Sequence, residues 1–442
     1  MSKSLSQWLD FIQRSHPKEI DMGLSRTAHV FQQLSLNLEY TKIVTVAGTN
    51  GKGTTCRTIE AITQASGFNV GVYSSPHLID FNERIRINGD QIHDDKLCEA
   101  FELVDHARGN TSLTYFEFVT LAALVCFAKH ELDVIVLEVG LGGRLDAVNI
   151  LDADVASVTS IGYDHQSWLG DTLDQIAFEK CGVVKSKTKA VLAFDAEKQG
   201  INLPQLLSDD VWMLGRDYDI HELQRSCSFT IHLDRLIPNI EQSETTILYT
   251  WNNEQLPAQN VVTAILSCWR LYQVLSGNKS EPLKQLLSNS NSLKQTISDI
   301  RIAGRFQRIF DAPQVIVDVG HNAQAADYLI DKIKRINSHN IHYVVGMLKD
   351  KNIEQTLTVM ADIPAHWYVC DLEGDRGEKS TRLKNALAKV ELKSLQCFSS
   401  VDLGLKTALE QASSTDMIYV FGSFLTVAQA IQYMQQQDKL SS

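Results

Sequence analysis

The stretch Val44-Thr45-Val46-Ala47-Gly48-Thr49-Asn50-Gly51-Lys52-Gly53-Thr54-Thr55 constrains the chain more than any other. An apolar, β-branched run enters a glycine-rich turn carrying Lys and Thr, and the spacing of Ile59, Ile62 and Ala65 predicts an amphipathic helix behind it. Strand, glycine turn and helix in that order build one crossover unit of a parallel sheet. The turn sits at a helix N-terminus, where backbone N–H groups and the helix dipole favour an anion. Lys52 can reach β and γ phosphates, so Gly48, Thr49, Asn50, Gly51, Lys52, Gly53 and Thr54 form a candidate ATP cradle. The run departs from the strict G-x-x-x-x-G-K-[ST] pattern, because Val46 stands at the first Gly position and Gly53 separates Lys52 from the hydroxyl residues.

The crossover pattern continues. Short apolar runs at Lys42 to Ala47, Val70 to Ser74, Asp133 to Val139, Val155 to Ser160 and Ala190 to Phe194 alternate with amphipathic stretches, as in βαβ units. From Val211 to Tyr249 the segments become short, with turn residues between them, and predict a small antiparallel annex. A helix is expected from Pro257 to Leu275, and the polar run Ser288 to Ser298 has the composition of a linker. Alternation resumes with strands at Val315 to Val319, Ile341 to Met347, Ala365 to Cys370, Leu395 to Phe398 and Met417 to Phe421. The fold class expected is therefore α/β. Residues 1–298 are read as a P-loop-type domain with a mainly parallel sheet and the annex, and residues 299–442 as a smaller Rossmann-like domain.

A chain of 442 residues with 44% hydrophobic and 21% charged side chains is that of a globular enzyme with two cores. Its net charge of -12 argues against a nucleic-acid partner, since phosphate backbones are bound by clustered Lys and Arg. The eight cysteines are scattered, without the C-x-x-C spacing of zinc or redox sites. The opening segment is charged throughout and lacks a signal-peptide core, and no run approaches the ~18 apolar residues of a membrane span. A cytoplasmic protein that does not engage membranes is expected.

A second glycine-rich loop, Gly140-Leu141-Gly142-Gly143-Arg144-Leu145-Asp146, follows the strand that ends near Glu138. A dinucleotide fingerprint needs Gly at position 145, which is Leu, so a dehydrogenase reading fails. In parallel sheets ligands bind beyond the carboxyl ends of strands, which sends Glu138 toward the crevice of the phosphate loop. A carboxylate inside an apolar strand is costly unless partnered. His165, in the loop after the next strand, belongs to the same edge.

Several segments resemble those of the bacterial dihydrofolate synthase/folylpolyglutamate synthase family, the folate branch of the Mur ligase superfamily. They are VAGTNGKGTT (Val46 to Thr55), GVYSSPHL (Gly71 to Leu78), LTYFE (Leu113 to Glu117), LEVGLGGRLDAVN (Leu137 to Asn149), DHQSWLG (Asp164 to Gly170), Glu179-Lys180, Gly304-Arg305-Phe306-Gln307, DVGHN (Asp318 to Asn322) and Gly422-Ser423-Phe424. The resemblance spans nearly the whole chain. It implies that Ser75, Glu138 and His165 hold magnesium, with Lys180, as a carbamate, serving a second ion. A lysine captures carbon dioxide only as the neutral amine, so burial or neighbouring cations must lower its pKa.

For ATP the resemblance implies the loop Gly48 to Lys52, Asn260 near the base, and Arg305 with Asp318 from the second domain. For a dihydropteroate-type substrate it implies Thr114, Tyr115, Phe116, Glu117, Leu145, Asp146 and Ala147. His321 is the candidate at the glutamate step, beside Lys52 and Lys180 as catalytic residues, and a monovalent cation such as potassium is a further candidate cofactor. The chain departs from the family at Leu425, commonly His, at Gln166, often Thr, and at Gly320, frequently Ala.

The activity implied is ATP-dependent ligation of L-glutamate to dihydropteroate and to the γ-carboxylates of reduced folates, by a monomer acting through an acyl phosphate. Phosphorylation turns a carboxylate oxygen into a leaving group, and cations neutralise the charge that builds during transfer. The alternatives are a Mur-type ligase acting on a peptidoglycan precursor and a P-loop small-molecule kinase.

Overall fold

The computed structural model describes residues 3–204, 208–223, 226–232, 246–251, 255–276, 279–336, 338 and 340–441. The chain divides into two compact units, Met1–Ile300 and Arg301–Ser442.

In the first unit the strands are β1 (Lys42–Ala47), β2 (Val70–Tyr73), β3 (Ile85–Ile87), β4 (Asp90–Gln91), β5 (Val134–Glu138), β6 (Val155–Val158), β7 (Lys189–Leu192) and β8 (Val211–Met213). They form one sheet in the order β4-β3-β2-β5-β1-β6-β7-β8. From β2 to β8 it is parallel, and its central strands are buried along almost their whole length, so they read as unbroken apolar runs rather than alternating ones. The register sets Val46 level with Glu138 on one side and Ser157 on the other. Three strands thus end together, and the loops that follow them share one edge.

The helix Lys52–Ala65 begins at Gly51, whose φ of 89° places it in the left-handed region. Only glycine takes that conformation cheaply, and its N–H groups then turn toward the loop. The helix Tyr115–Ala128 is buried from Glu117 to Phe127, which is why its sequence is apolar on every face. The helix Ala258–Val274 packs against the helix Lys52–Ala65 and against β6 and β7.

Two expectations need correction. Val211–Met213 is not the start of the annex: it pairs parallel with β7 as the edge of the main sheet. The antiparallel annex is the three-stranded sheet β11-β10-β9, made of β9 (His221–Leu223), β10 (Ser226–His232) and β11 (Thr246–Trp251), and residues 233–245 of the expected annex lie outside the described residues. The expected linker is helical, with Ser280–Ser288 followed by Ser290–Ser298. Asn289 caps the second helix by accepting from Ser292 N–H, and Leu293 and Ile297, four residues apart, are buried. A sparse apolar pair at helical spacing outweighed a polar composition, because burying those two side chains offsets the entropy of ordering the segment.

The second unit is a six-stranded sheet in the order β12-β13-β17-β14-β15-β16, formed by β12 (Gln307–Asp311), β13 (Gln314–Asp318), β14 (Ile341–Val345), β15 (His366–Cys370), β16 (Ser394–Phe398) and β17 (Met417–Phe421). Its five C-terminal strands are parallel and lie where the sequence pattern predicts strands, while β12, unread in the sequence, adds an antiparallel edge. Among the described residues no helix is long and apolar enough to cross a membrane. Cys56, Cys98, Cys126, Cys181, Cys268, Cys370 and Cys397 are free thiols.

Candidate active site

The loop after β1 is shaped by the end of β6. Thr159 Oγ1 donates to the Asn50 carbonyl at 2.6 Å, Thr49 N–H donates to the Ser160 carbonyl at 2.9 Å, and Asn50 N–H donates to Ser160 Oγ at 2.9 Å. Thr49 and Gly162 are joined through the Thr49 hydroxyl, which donates to the Gly162 carbonyl and accepts from Gly162 N–H. Gly48, with φ 142°, leaves no room for a side chain, since a Cβ there would sit 2.0 Å from Thr159 Oγ1. Thr159 and Ser160 carry this scaffold, and sequence reasoning passed over them. The usable signal was their place at a strand's carboxyl end.

Two amines meet on this loop. Lys52 Nζ donates to the carbonyls of Gly48 (2.9 Å) and Thr49 (3.2 Å), and Lys180 Nζ donates to the same Gly48 carbonyl at 3.1 Å. Lys180 comes from the helix Leu173–Cys181 and is buried. Burial, followed by the positive charge of Lys52, pulls its pKa down to about 7, against the opposing pull of Asp164 and Asp146. An amine in that range is partly neutral at physiological pH, which is the condition for reaction with carbon dioxide.

Glu138 is buried at the end of β5, and its Oε2 accepts from Ser75 N–H at 3.2 Å. A Cβ on Gly53 would lie 3.6 Å from the same carboxylate, so Glu138 rests against the first turn of the phosphate-loop helix. Ser75, Glu138 and Gly53 are therefore brought together. His165 sits at φ 53° with its Nε2 3.8 Å from Asp164 Oδ2, and its ring is partly exposed. Among the described residues no three His, Cys, Asp or Glu side chains cluster as metal ligands.

Asn260 enters from the helix Ala258–Val274 and presses on the loop: a Cβ on Gly51 would stand 2.2 Å from its Oδ1. Thr54 is buried in the first turn of the neighbouring helix.

The expected substrate segments are neighbours. Phe116 packs on Gly140, where an added Cβ would approach its ring to 2.5 Å, and on Tyr73 at 5.8 Å between centroids. Tyr115 is half-buried beside Phe81 and the Arg84 guanidinium. Thr114 and Glu117 cap their own helix reciprocally, with Thr114 N–H donating to Glu117 Oε2 at 2.8 Å. The other oxygen of Glu117 accepts from Arg26 Nη2 and Thr27 Oγ1, both at 3.0 Å, and Arg26 also binds Asp21. Both oxygens are thus engaged within the protein, and the Asp21–Thr27 segment, unread in the sequence, is tied to this corner. In the second glycine loop Leu145 is half-buried, while Asp146 and Ala147 are buried. Asp146 accepts from Leu141 N–H at 2.8 Å and Val148 N–H at 3.1 Å, and burial raises its pKa to about 6.

In the second unit Asp318, at the end of β13, accepts from Phe306 N–H at 2.8 Å and Gly320 N–H at 2.7 Å. These bonds shape the turn that carries Arg305, whose guanidinium lies 5.7 Å from the Phe424 ring centre. His321 Nδ1 is bonded to the Val319 carbonyl at 2.8 Å, which fixes that nitrogen as the N–H. Gly320 has a packing reason here: a Cβ would meet Leu329 Cδ1 at 2.8 Å and Asp318 Oδ1 at 3.0 Å.

The chain matches two family models, the Mur ligase middle domain over residues 46–226 and the Mur ligase glutamate ligase domain over residues 304–424. A two-unit α/β chain whose first unit opens on a phosphate-type loop is thus of the Mur ligase class. The dihydrofolate synthase/folylpolyglutamate synthase of Escherichia coli K12 is 37% identical over 432 residues, covering 97% of this chain and 95% of that one. Its counterpart in Haemophilus influenzae is 36% identical over 446 residues, covering 96% of each. E. coli FolC in complex with DHPP and ADP superposes with a TM-score of 0.84 at 34% identity over 99% of both chains. The Yersinia pestis bifunctional enzyme with Mn, AMPPNP and L-glutamate bound gives 0.81 at 34% identity over 98% of both. The chain belongs to the dihydrofolate synthase/folylpolyglutamate synthase family.

Proposed function

We propose that the chain uses ATP to join L-glutamate to dihydropteroate, giving dihydrofolate, and to extend the γ-carboxylates of folates. The observation that carries this reading is the convergence of Lys52 and Lys180 on the Gly48 carbonyl, at the sheet edge where Ser75 meets Glu138. It is supported by the chain-wide similarity to bifunctional folate ligases.

In the first step a carboxylate oxygen of the pterin acid takes the γ-phosphoryl group of ATP, releasing ADP. In the second the glutamate amine attacks the acyl carbon, phosphate leaves with the C–O electron pair, and the amine loses a proton. Lys52, with the N–H groups of Gly51 to Thr54 at the helix start, holds the phosphates on the loop that Gly48, Thr49 and Asn50 shape, and Asn260 serves the nucleotide near its base. In the second unit Arg305 and Asp318 serve ATP and His321 serves the glutamate step. Thr114 to Glu117 and Leu145 to Ala147 form the pterin-acid corner. Tyr115, Phe116 and Leu145 face the ligand, while Glu117, whose oxygens are occupied, shapes the corner from behind.

A divalent cation fits the Ser75–Glu138 pair, because a carboxylate and a hydroxyl are hard oxygen donors beside a phosphate loop, and His165 and a carbamate on Lys180 complete the proposed set. Bound there, magnesium would neutralise charge on the transferring phosphoryl group. The substrates are small molecules, and the protein is taken to act as a cytoplasmic monomer.

Incubation with ATP, dihydropteroate and glutamate tests the reaction class. Phosphate is expected only when both co-substrates are present, with dihydrofolate as the product by mass spectrometry. A phosphorylated product that builds up over many turnovers and is not converted to the amide when glutamate is added would instead identify a kinase.

A further inference from the structure

Glu60 lies on the phosphate-loop helix with its carboxylate fully buried. Arg86, on β3, grips it with Nε at 3.2 Å from both oxygens and Nη2 at 2.9 Å from Oε2, and Arg57 approaches Oε2 at 3.0 Å. A buried carboxylate at this depth persists only when paired, and a bidentate guanidinium is the strongest available partner. The remaining amine of Arg86 does something different. Nη1 donates to Ser74 Oγ at 3.1 Å and to the Glu83 carbonyl at 3.0 Å. Ser74 precedes Ser75, whose N–H is bonded to Glu138. Glu83 in turn caps the same turn, accepting from the N–H groups of Leu78, Ile79 and Asp80.

One guanidinium therefore ties the helix that begins at Lys52 to the turn that presents Ser75.

We propose that Arg86 is a positioning residue that holds the Ser74–Ser75 turn against the phosphate-loop helix and so sets the affinity of the Ser75–Glu138 pair for a divalent cation. The proposal rests on the reading of that pair as a metal site. A residue behind a metal ligand typically changes metal affinity by about 10- to 100-fold when altered, and leaves ligands bound elsewhere untouched.

The test is Mn2+ binding to the full-length protein without nucleotide, which would itself chelate the ion, followed by the electron paramagnetic resonance signal of free Mn2+. Arg86→Lys keeps the charge but loses the fork, and about a tenfold loss of Mn2+ affinity is expected. Ser74→Ala removes a single bond at a half-buried position and is expected to weaken Mn2+ by a smaller factor, in a protein of near-normal melting temperature. ADP affinity measured without divalent cation should stay within about twofold in both, since the phosphate loop itself is untouched. Unchanged Mn2+ affinity in Ser74→Ala and in any folded Arg86→Lys, with only a lowered melting temperature, would make the arginine purely structural and overturn the proposal. Glu138→Gln in the same assay tests the underlying reading alone: Mn2+ binding indifferent to that change removes the metal site, and the role of Arg86 with it.

Discussion

The ammonium groups of Lys52 and Lys180 donate to one acceptor, the carbonyl oxygen of Gly48, at 2.9 and 3.1 Å. Two cations on a single carbonyl repel each other, and the buried one yields. The electrostatics of Lys180 thus depend on a residue in another element, and the two lysines should not be separable by mutation.

Lys180 titrates at about 7 in the folded protein and at 10.5 as an ordinary lysine. Between those values the unfolded chain carries the extra proton, so the stability contribution of this group rises with pH through that window. Lys180→Met should flatten the rise in melting temperature over the window in buffer free of carbon dioxide. With 13C-bicarbonate, a carbamate resonance should grow as pH climbs through about 7, and Lys52→Met should move its onset upward because a repelling cation has gone. An onset that ignores Lys52→Met would contradict the coupling.

Lys52→Ala should leave the fold intact and lower turnover by roughly a hundred- to a thousandfold, the scale expected when a donor to developing charge is removed. Phosphate release with both co-substrates is the assay. Near-normal ligation by this variant would remove Lys52 from the chemistry.

Gly51 is required twice over, by its φ of 89° and by Asn260 at 2.2 Å from any Cβ. Gly51→Ala should weaken ADP binding by more than tenfold, read by calorimetry. Adding Asn260→Gly relieves the contact but removes a side chain assigned to the nucleotide and leaves a backbone conformation that costs about 1–2 kcal/mol for an L-residue, so recovery, judged against Asn260→Gly alone, should be partial. Full recovery would mean that crowding alone forbids a side chain there.

The helix Ser290–Ser298 makes a prediction that a flexible linker would not. Leu293→Ala should destabilise the first unit by about 2–5 kcal/mol, and Asn289→Ala should cost about 1 kcal/mol through the lost cap. Denaturant unfolding and hydrogen exchange over 290–298 read both. Exchange as fast as that of an unstructured peptide would contradict the helix.

Much of this protein is legible in its residues alone. The run from Val44 to Thr55 already contains strand, turn and helix, because period, glycine placement and helix start are local properties. The alternation of apolar runs locates the parallel strands of both sheets for the same reason, and the ordered motifs from Val46 to Phe424 carry the family. The carboxyl-end rule also brings Glu138 to the phosphate loop, where β5 delivers it beside Gly53.

What tertiary structure decided are the partners of charged groups and the fate of marginal segments. Nothing in the local pattern around Glu179-Lys180 marks Lys180 as interior, yet it is buried against Gly48, because its helix docks on the crevice edge. Glu117 looks like a ligand-binding carboxylate, yet Arg26, Thr27 and Thr114 occupy it. Arg86 and Glu60, 26 residues apart, have no pattern in common that marks them as a pair. Val211–Met213 joined the main sheet because β7 offered a free edge, and Ser288 to Ser298 folded because Leu293 and Ile297 found a core to enter. Periodicity is written along the chain, but the energy of a buried charge or a sparse apolar pair depends on what the rest of the molecule places opposite it.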